Sequence, residues 1–131
     1  IGRLDINSEG LLLFTNNGNF ARYFELPINK FKRVYRVRVH GKVNVEKFPQ
    51  LEKGIIIDKI RYRSVKARLE KQMTSNAWIK IKLIEGKNRE IRKICDYFFW
   101  NIVKLIRIQY GPYKLLNLKK GQISEIIEIM H

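Results

Sequence analysis

Two stretches of the chain alternate between apolar and basic residues, the pattern of strands with one buried face. In residues 33–39, one face carries Tyr35, Val37 and Val39, whereas the other carries Arg36 and Arg38. Residues 77–84 alternate isoleucine with lysine in the same way. Further apolar runs predict strands at 55–58, 61–69, 102–109 and 122–130. Neighbouring strands joined by short connections pair most readily as antiparallel partners.

Helical periodicity is clearest after Asn88, a candidate N-cap, and predicts a helix packed on the sheet. Its apolar stripe is Ile91, Ile94, Cys95 and Phe98. Asn19 is the candidate cap of a shorter helix that ends before Pro27. A third short helix is predicted at 44–53, and Pro49 is expected to bend this helix or to confine it to its first turn. The residues expected to face inward there are Val45, Phe48 and Leu51.

Strands outnumber helices in this pattern, and no repeat or glycine-rich linker divides the 131 residues. We therefore predict one unit of the α+β class, with a mixed or mainly antiparallel sheet and two or three helices. Nearly half of the residues are hydrophobic (45%), which is enough for a core without disulfides or a structural metal. The apolar runs fall far short of the ~20 residues of a membrane helix.

The charge balance points to a polyanionic partner. Lysine and arginine total 27 against 12 acidic residues, which gives a net charge of +15 and a pI near 10.2. Compositional drift towards lysine would explain part of this excess, but it does not explain the arginines. Because the charge is spread along the chain, nucleic acid is favoured over a membrane surface. The single cysteine, Cys95, cannot form an internal disulfide, and a cytoplasmic protein without metal is expected.

Asp5 is the candidate for acid–base or nucleophilic chemistry. It lies in a segment flanked by Gly2 and Gly10, just before an apolar run, in a chain with few carboxylates. A carboxylate among arginines stays ionised and can act as a nucleophile. The alternative is a turn aspartate that binds its own backbone, and the spacing alone does not exclude it.

Three segments, in order, resemble the motifs of a known enzyme family. They are GRLDINSEGLLLFTNNG, KRVYRVRVHG, and EGKNREIRKICDYF followed by VKLIRIQYGPYKL. The first resembles the catalytic motif of the pseudouridine synthases, in the RsuA/RluB branch that modifies ribosomal RNA, and the details look closest to its large-subunit members. Departures are mild: Ser8 stands where threonine is common, and Lys87 and Glu90 stand where arginine and glutamine are common.

The resemblance implies a pseudouridine synthase catalytic fold and the isomerisation of a specific uridine to pseudouridine without a cofactor. Asp5 would be the nucleophile, attacking either the uracil ring or the ribose of a flipped-out nucleotide. Arg3 would act as a wedge or phosphate contact. Tyr35 would stack on the base or move a proton, although its pattern also fits a core strand tyrosine.

Arg92 matches the family's basic residue that pairs with the catalytic aspartate. The alternative for Arg92 is an i, i+4 helix pair with Asp96. The remaining charges of these motifs would face RNA. They are Arg36, Arg38, Lys87, Arg89 and Lys93. Cys95 and Phe98 are expected in the core.

In this family an RNA-binding domain and the start of the catalytic domain precede the aspartate motif. Residues 1–131 are therefore expected to be the C-terminal part of a catalytic domain. The implied partner is ribosomal RNA, most closely large-subunit RNA, with neither a membrane nor a small-molecule cofactor. The competing interpretations are an RNA-binding remnant without catalysis and a basic structural protein of the ribosome.

Overall fold

A computed structural model describes residues 9–10, 18–25, 31–84 and 89–114. These residues form three α-helices, one short 3₁₀ helix and eight strands. The helices are α1 (Gly18–Glu25), α2 (Phe48–Lys53), which follows the 3₁₀ turn Val45–Lys47, and α3 (Glu90–Tyr97). The strands are β1 (Glu9–Gly10), β2 (Arg33–His40), β3 (Ile55–Ile57), β4 (Ile60–Tyr62), β5 (Lys66–Gln72), β6 (Asn76–Leu83), β7 (Asn101–Tyr110) and β8 (Tyr113–Lys114).

The main sheet has the strand order β1-β7-β2-β6-β5, and β8 pairs with β7 as a hairpin. Only the β1–β7 pair is parallel among the described strands. Strands β3 and β4 form a separate antiparallel hairpin. The predicted α+β class with a mainly antiparallel sheet is confirmed, as are the antiparallel pairs around β6.

One face of the main sheet, here called the inner face, carries the hydrophobic core. The alternation in β2 and β6 puts Val37 and Ile79 on this face, where both are fully buried. Leu51 of α2 and Ile94 of α3 bury their side chains against the same cluster. Ile55 and the hairpin to which it belongs also pack there, so helices and hairpin cover one side of the sheet.

Helix α3 buries the stripe that its periodicity predicts. Ile91, Ile94 and Cys95 are buried, and Phe98 is partly buried against the core. The helix begins at Glu90, with Arg89 as its cap residue in a left-handed conformation (φ 51°), so the predicted cap at Asn88 is wrong. Asn88 itself lies outside the described residues. No helix of the described part is long and apolar enough to cross a membrane.

Three local predictions are corrected by the structure. The single strand expected at 61–69 is split between β4 and β5, because the chain leaves the hairpin after Tyr62 and enters the main sheet at Lys66. Val45 is 49% exposed rather than inward, since the segment begins as a 3₁₀ turn whose phase differs from that of α2. Helix α1 begins at Gly18, one residue before the expected cap. The strand predicted at 122–130 lies outside the described residues.

The buried thiol of Cys95 predicts a pH dependence of stability. Burial, together with the charge of Asp96, raises the pKa of Cys95 from 9.0 to about 12, while Arg92 lowers it slightly. The unfolded chain therefore loses this proton at lower pH than the folded chain. The corresponding stabilisation is complete below pH 9 and is lost as the pH rises towards 12.

Urea unfolding at pH 8 and pH 10 measures this effect when the natural protein is compared with Cys95→Ala. The free energy of unfolding should fall between the two pH values by about 1.4 kcal/mol more in the natural protein, which is the linkage expected one pH unit above the unfolded pKa. The alanine variant corrects for lysines and tyrosines that titrate in the same range. An equal fall in both proteins would contradict the buried, protonated thiol.

Candidate active site

The structure describes six of the nine residues that the sequence nominated for the site. They are Tyr35, Arg36, Arg38, Arg89, Arg92 and Lys93. Asp5, Arg3 and Lys87 lie outside the described residues, so their predicted roles stay predictions.

Tyr35 lies on the inner face of β2, next to the core. Its Cα is paired with Ile81 on β6 and with Arg107 on β7. The side chain is half-buried and packs against the hydrophobic cluster. Tyr35 therefore contacts the core and keeps part of its side chain accessible. This position is compatible both with stacking on a base and with the alternative of a core strand tyrosine.

Arg107 is the most deeply buried cation of the described chain, with 1% of its surface exposed. It follows Leu105 by two residues on β7 and shares the inner face with Tyr35, its strand partner. Its guanidinium carbon lies 5.2 Å from the centroid of the Tyr110 ring, within cation–π range. Burying a guanidinium carries a desolvation penalty even where the group has partners. An arginine at this position is therefore a candidate functional residue.

Tyr110 also contacts a second arginine, Arg33. Arg33 Nη2 donates a hydrogen bond to the Tyr110 hydroxyl at 3.1 Å, and the Arg33 guanidinium carbon lies 4.8 Å from the ring centroid. Together with Tyr35 and Arg107, these residues form what is here called the arginine–tyrosine cluster (Arg33, Tyr35, Arg107 and Tyr110). The cluster offers cationic donors and aromatic faces on one side of the sheet.

A β-bulge makes this cluster possible. Val34 pairs with Gln109, but the next residue, Tyr35, pairs with Arg107, so Ile108 is the extra residue of β7. Strict alternation would put Arg107 and Tyr110 on opposite faces, because they are three residues apart. The extra residue brings both onto the inner face. Bulges of this kind re-aim side chains and are common beside active sites.

Arg33, Arg107 and Tyr110 lie in segments that resemble the family's motifs, but the sequence analysis did not nominate them as site residues. A signal for Arg107 was present, since it stands two residues after Leu105 in a predicted strand and so falls on the apolar face. No comparable signal existed for Tyr110, because the bulge at Ile108 changes its face and the sequence does not reveal that bulge.

Helix α3 carries the other basic candidates and packs on β7 and β3, on the inner side of the sheet. Arg92 is half-buried, its Nε atom is shielded from solvent, and its charge acts on the Cys95 thiol one turn later. Glu90, in the first turn, is buried where a carboxylate suits the helix N-terminus. Arg89 is exposed and Lys93 is half-buried. Arg92 and Tyr35 thus lie on the same side of the sheet.

Arg36 and Arg38 point away from Tyr35, as the alternation predicts. Arg36 Nε lies 2.9 Å from Glu70 Oε1, and its guanidinium carbon lies 4.8 Å from the Trp78 ring centroid. Arg38 Nε donates to the Asn76 side-chain oxygen at 3.3 Å. The structure therefore does not bring these two arginines together with the inner-face residues. Among the described residues no group of three acidic, cysteine or histidine side chains is arranged to hold a metal ion.

Comparison with known proteins places the chain in a family. The profile of the family described as RNA pseudouridylate synthase matches residues 1–97. The chain therefore belongs to the RNA pseudouridine synthases, and the resemblance to the RsuA/RluB branch is confirmed. The match spans the aspartate segment, β2 and α3, which carry the three motifs.

Two relatives illustrate the similarity. An uncharacterized RNA pseudouridine synthase of Rickettsia felis is 53% identical over 126 residues, covering 96% of this chain and 55% of that protein. The ribosomal large subunit pseudouridine synthase B of Buchnera aphidicola (subsp. Acyrthosiphon pisum) is 43% identical over 129 residues, covering 96% of this chain and 52% of that protein. The chain thus spans about half the length of these relatives.

The fold is also that of a solved enzyme structure. A crystal structure of a pseudouridylate synthase superposes with a TM-score of 0.76 at 23% identity, covering 87% of this chain and 49% of that one. This similarity supports the architecture of the sheet and helices.

Gly10 offers a test of how the aspartate segment is attached to the site. Gly10 pairs with Arg107 in the parallel β1–β7 ladder and has a φ of 112°, which side chains rarely adopt. A Cβ atom there would overlap the backbone carbonyl of Arg107. Gly10→Ala should therefore release β1 from β7, seen as faster amide hydrogen exchange at the β7 residues that face β1.

Gly18→Ala is the matched control, because nothing lies within 4 Å of a Cβ at that helical position. It should leave amide hydrogen exchange in β7 unchanged. Unchanged exchange in Gly10→Ala would show that β1 does not depend on this close approach.

Proposed function

We propose that this protein converts a uridine of ribosomal RNA to pseudouridine, with Asp5 as the nucleophile and the inner face of β2 and β7 as the wall of the base pocket. The observation that carries the proposal is the pairing of β1 with β7 at Arg107. Only four residues separate Asp5 from Gly10 in the sequence, so the motif that holds the aspartate leads directly into the strand beside the arginine–tyrosine cluster.

The reaction needs a base held outside the RNA stack. In the proposed sequence of events, Asp5 attacks the uracil ring or the ribose and the bond between N1 and C1′ breaks. The base then turns, C5 forms a new bond to C1′, and the bond between Asp5 and the substrate breaks, which releases the carboxylate. The C5 proton leaves, and N1 takes up a proton. The product is an isomer of the substrate, so the balance requires neither an oxidant nor a cofactor.

The arginine–tyrosine cluster supplies what a detached uracil requires. Tyr35 is half-buried and offers an aromatic ring beside the core, suited to stack on the base. When the glycosidic bond breaks, negative charge develops on the uracil ring. The guanidinium of Arg107, held in a site from which water is excluded, stabilises such charge more strongly than a solvated cation would.

Arg92 has the proposed role of orienting the aspartate. A guanidinium can bind both oxygens of a carboxylate, which fixes the direction of the nucleophile and keeps it ionised. Its position on α3, half-buried on the inner side of the sheet, supports this role over that of a solvated surface residue. Arg3, Arg89, Lys87 and Lys93 are proposed to contact the phosphates around the target.

Ribosomal RNA as substrate is supported by two observations. The net charge of +15 suits a polyanion, and a relative that is 43% identical is named for the large ribosomal subunit. We further propose that residues 1–131 act as the C-terminal part of a catalytic domain in which upstream segments select the uridine.

Asp5→Asn tests the catalytic assignment directly. In the full-length protein, the variant should fold and bind RNA as the natural protein does, because the amide has the shape of the carboxylate. Pseudouridine formation should disappear, because an amide is a far weaker nucleophile. The measurement is pseudouridine in ribosomal RNA after incubation with each protein. Equal pseudouridine from both would overturn the assignment, whereas RNA binding without conversion by the natural protein would favour the non-catalytic RNA-binding alternative.

Arg92→Lys tests the orienting role. Lysine keeps the charge but cannot bind two carboxylate oxygens in one plane, so kcat should fall by about tenfold or more, equivalent to about 1.4 kcal/mol of transition-state stabilisation. Arg61→Lys on the β3–β4 hairpin is the control, because its side chain is exposed and has no proposed contact with the substrate, and its kcat should be unchanged. Equal kcat values for both variants would show that Arg92 acts as a simple charge.

A further inference from the structure

The face of the main sheet opposite the core is strongly basic. Residues in register on β2, β5, β6 and β7 point to this side, because they are cross-strand partners of one another and alternate with the core residues. This surface, here called the basic face, comprises Arg36, Arg38, Lys66, Arg68, Lys71, Lys80, Lys82 and Lys104. Glu70 is the acidic residue that accompanies them on the described strands, and it binds Arg36.

The cations of the basic face form a regular array rather than a scatter. Lys66 pairs with Lys82, Arg68 with Lys80, and Arg36 with Lys80. Neighbouring strands lie about 4.8 Å apart and successive outward residues about 6.7 Å apart, so the charges fill a two-dimensional grid. Like charges directly opposite each other destabilise a sheet. Stability therefore does not account for the array, whereas an anionic ligand does.

Part of the array is held in place before any ligand binds. The Arg36 guanidinium is fixed between the Trp78 ring, at 4.8 Å, and the Glu70 carboxylate, at 2.9 Å. Arg38 is held by Asn76. By contrast, Lys66, Arg68 and Lys71 on β5 are exposed, as is Lys104 on β7. The end of the sheet near Val34 does not belong to this surface, because Val34 points outward yet is buried.

We propose that the basic face binds the phosphate backbone of a folded RNA segment, on the side of the sheet opposite the base pocket. The proposal rests on the proposed function in that the polyanion is taken to be RNA. It adds a second contact surface, so one RNA would meet both sides of the sheet.

The nature of the surface favours structured RNA over a single strand. Proteins that bind single strands stack successive bases on a series of aromatic side chains. On the basic face Trp78 is half-buried, and the Arg36 guanidinium lies over its ring. Lysines and arginines without free aromatic platforms suit phosphate contacts, which double-stranded RNA presents in regular rows.

The test measures binding of a 20-base-pair duplex of G–C pairs, which contains no uridine and cannot be a substrate. In the full-length protein, the triple variant Lys66→Gln, Arg68→Gln and Lys80→Gln should weaken binding by about tenfold or more at ~0.1 M salt. The slope of log affinity against log salt should also become shallower, by up to about 0.9 for each phosphate contact that is lost.

The control triple variant is Lys53→Gln, Lys59→Gln and Arg61→Gln, which removes the same charge from α2 and the β3–β4 hairpin on the other side of the sheet. It should retain nearly all of the affinity. Equal losses in the two triple variants would overturn the proposal, because net charge alone would then explain binding. Unchanged RNA binding in the first variant would also overturn the proposal. Binding of both proteins to anionic lipid vesicles is measured in parallel. If the first variant lost vesicle binding but kept RNA binding, the basic face would be a lipid-binding surface and the proposal would be wrong.

Two controls distinguish an effect on RNA binding from effects on folding and on catalysis. Melting temperatures verify folding, and the double variant Lys66→Gln, Arg68→Gln, altered only at exposed positions of edge strand β5, provides a second measurement if Lys80 matters for stability. The double variant should lose affinity for the duplex in the same direction. Because the duplex contains no uridine, its binding is independent of Asp5, so failure of the catalytic proposal and failure of this one give different results.

Discussion

The pairing of β2 with β7 is the constraint on which the site depends. These two strands are neighbours in the centre of the sheet, and β7 also receives β1 on its other edge. A bulge at Ile108 interrupts their register and brings Arg107 and Tyr110 to the face that holds Tyr35. Without the extra residue, one of the two would point to the opposite side. The chemistry of the inner face is therefore a consequence of backbone register as much as of residue type.

The same sheet separates two kinds of interaction. Its inner face excludes water with isoleucine and valine side chains, so a charge placed there acts in a medium of low polarity. Its outer face carries solvated cations, whose individual contributions to stability are small. The base chemistry and the backbone recognition that we propose make opposite demands on solvent, and strands with alternating side chains can satisfy both demands in a single layer.

The sequence predicted the regular parts of this arrangement well. Alternation over 33–39 and 77–84 located β2 and β6 and assigned Arg36 and Arg38 to the outer face, and helical spacing located α3 and its buried stripe. What it could not predict depends on long-range pairing. To predict that residues 61–69 divide between two sheets, one must know which strand pairs with each half. The bulge at Ile108 is likewise defined only by the pairing of β7 with β2.

The proposed function accounts for the burial of Arg107 better than stability does. Burying a guanidinium carries a desolvation penalty that pairing only partly offsets, and apolar replacements of buried ion pairs are often neutral or stabilising. A leucine at this position would extend the cluster that Leu105 already joins. The chain instead places an arginine between β1 and Tyr35 in the ladder and against the Tyr110 ring. A fixed cation in a dry site is valuable where negative charge develops during a reaction, and in the proposed reaction Tyr35, beside it, holds the base on which that charge appears.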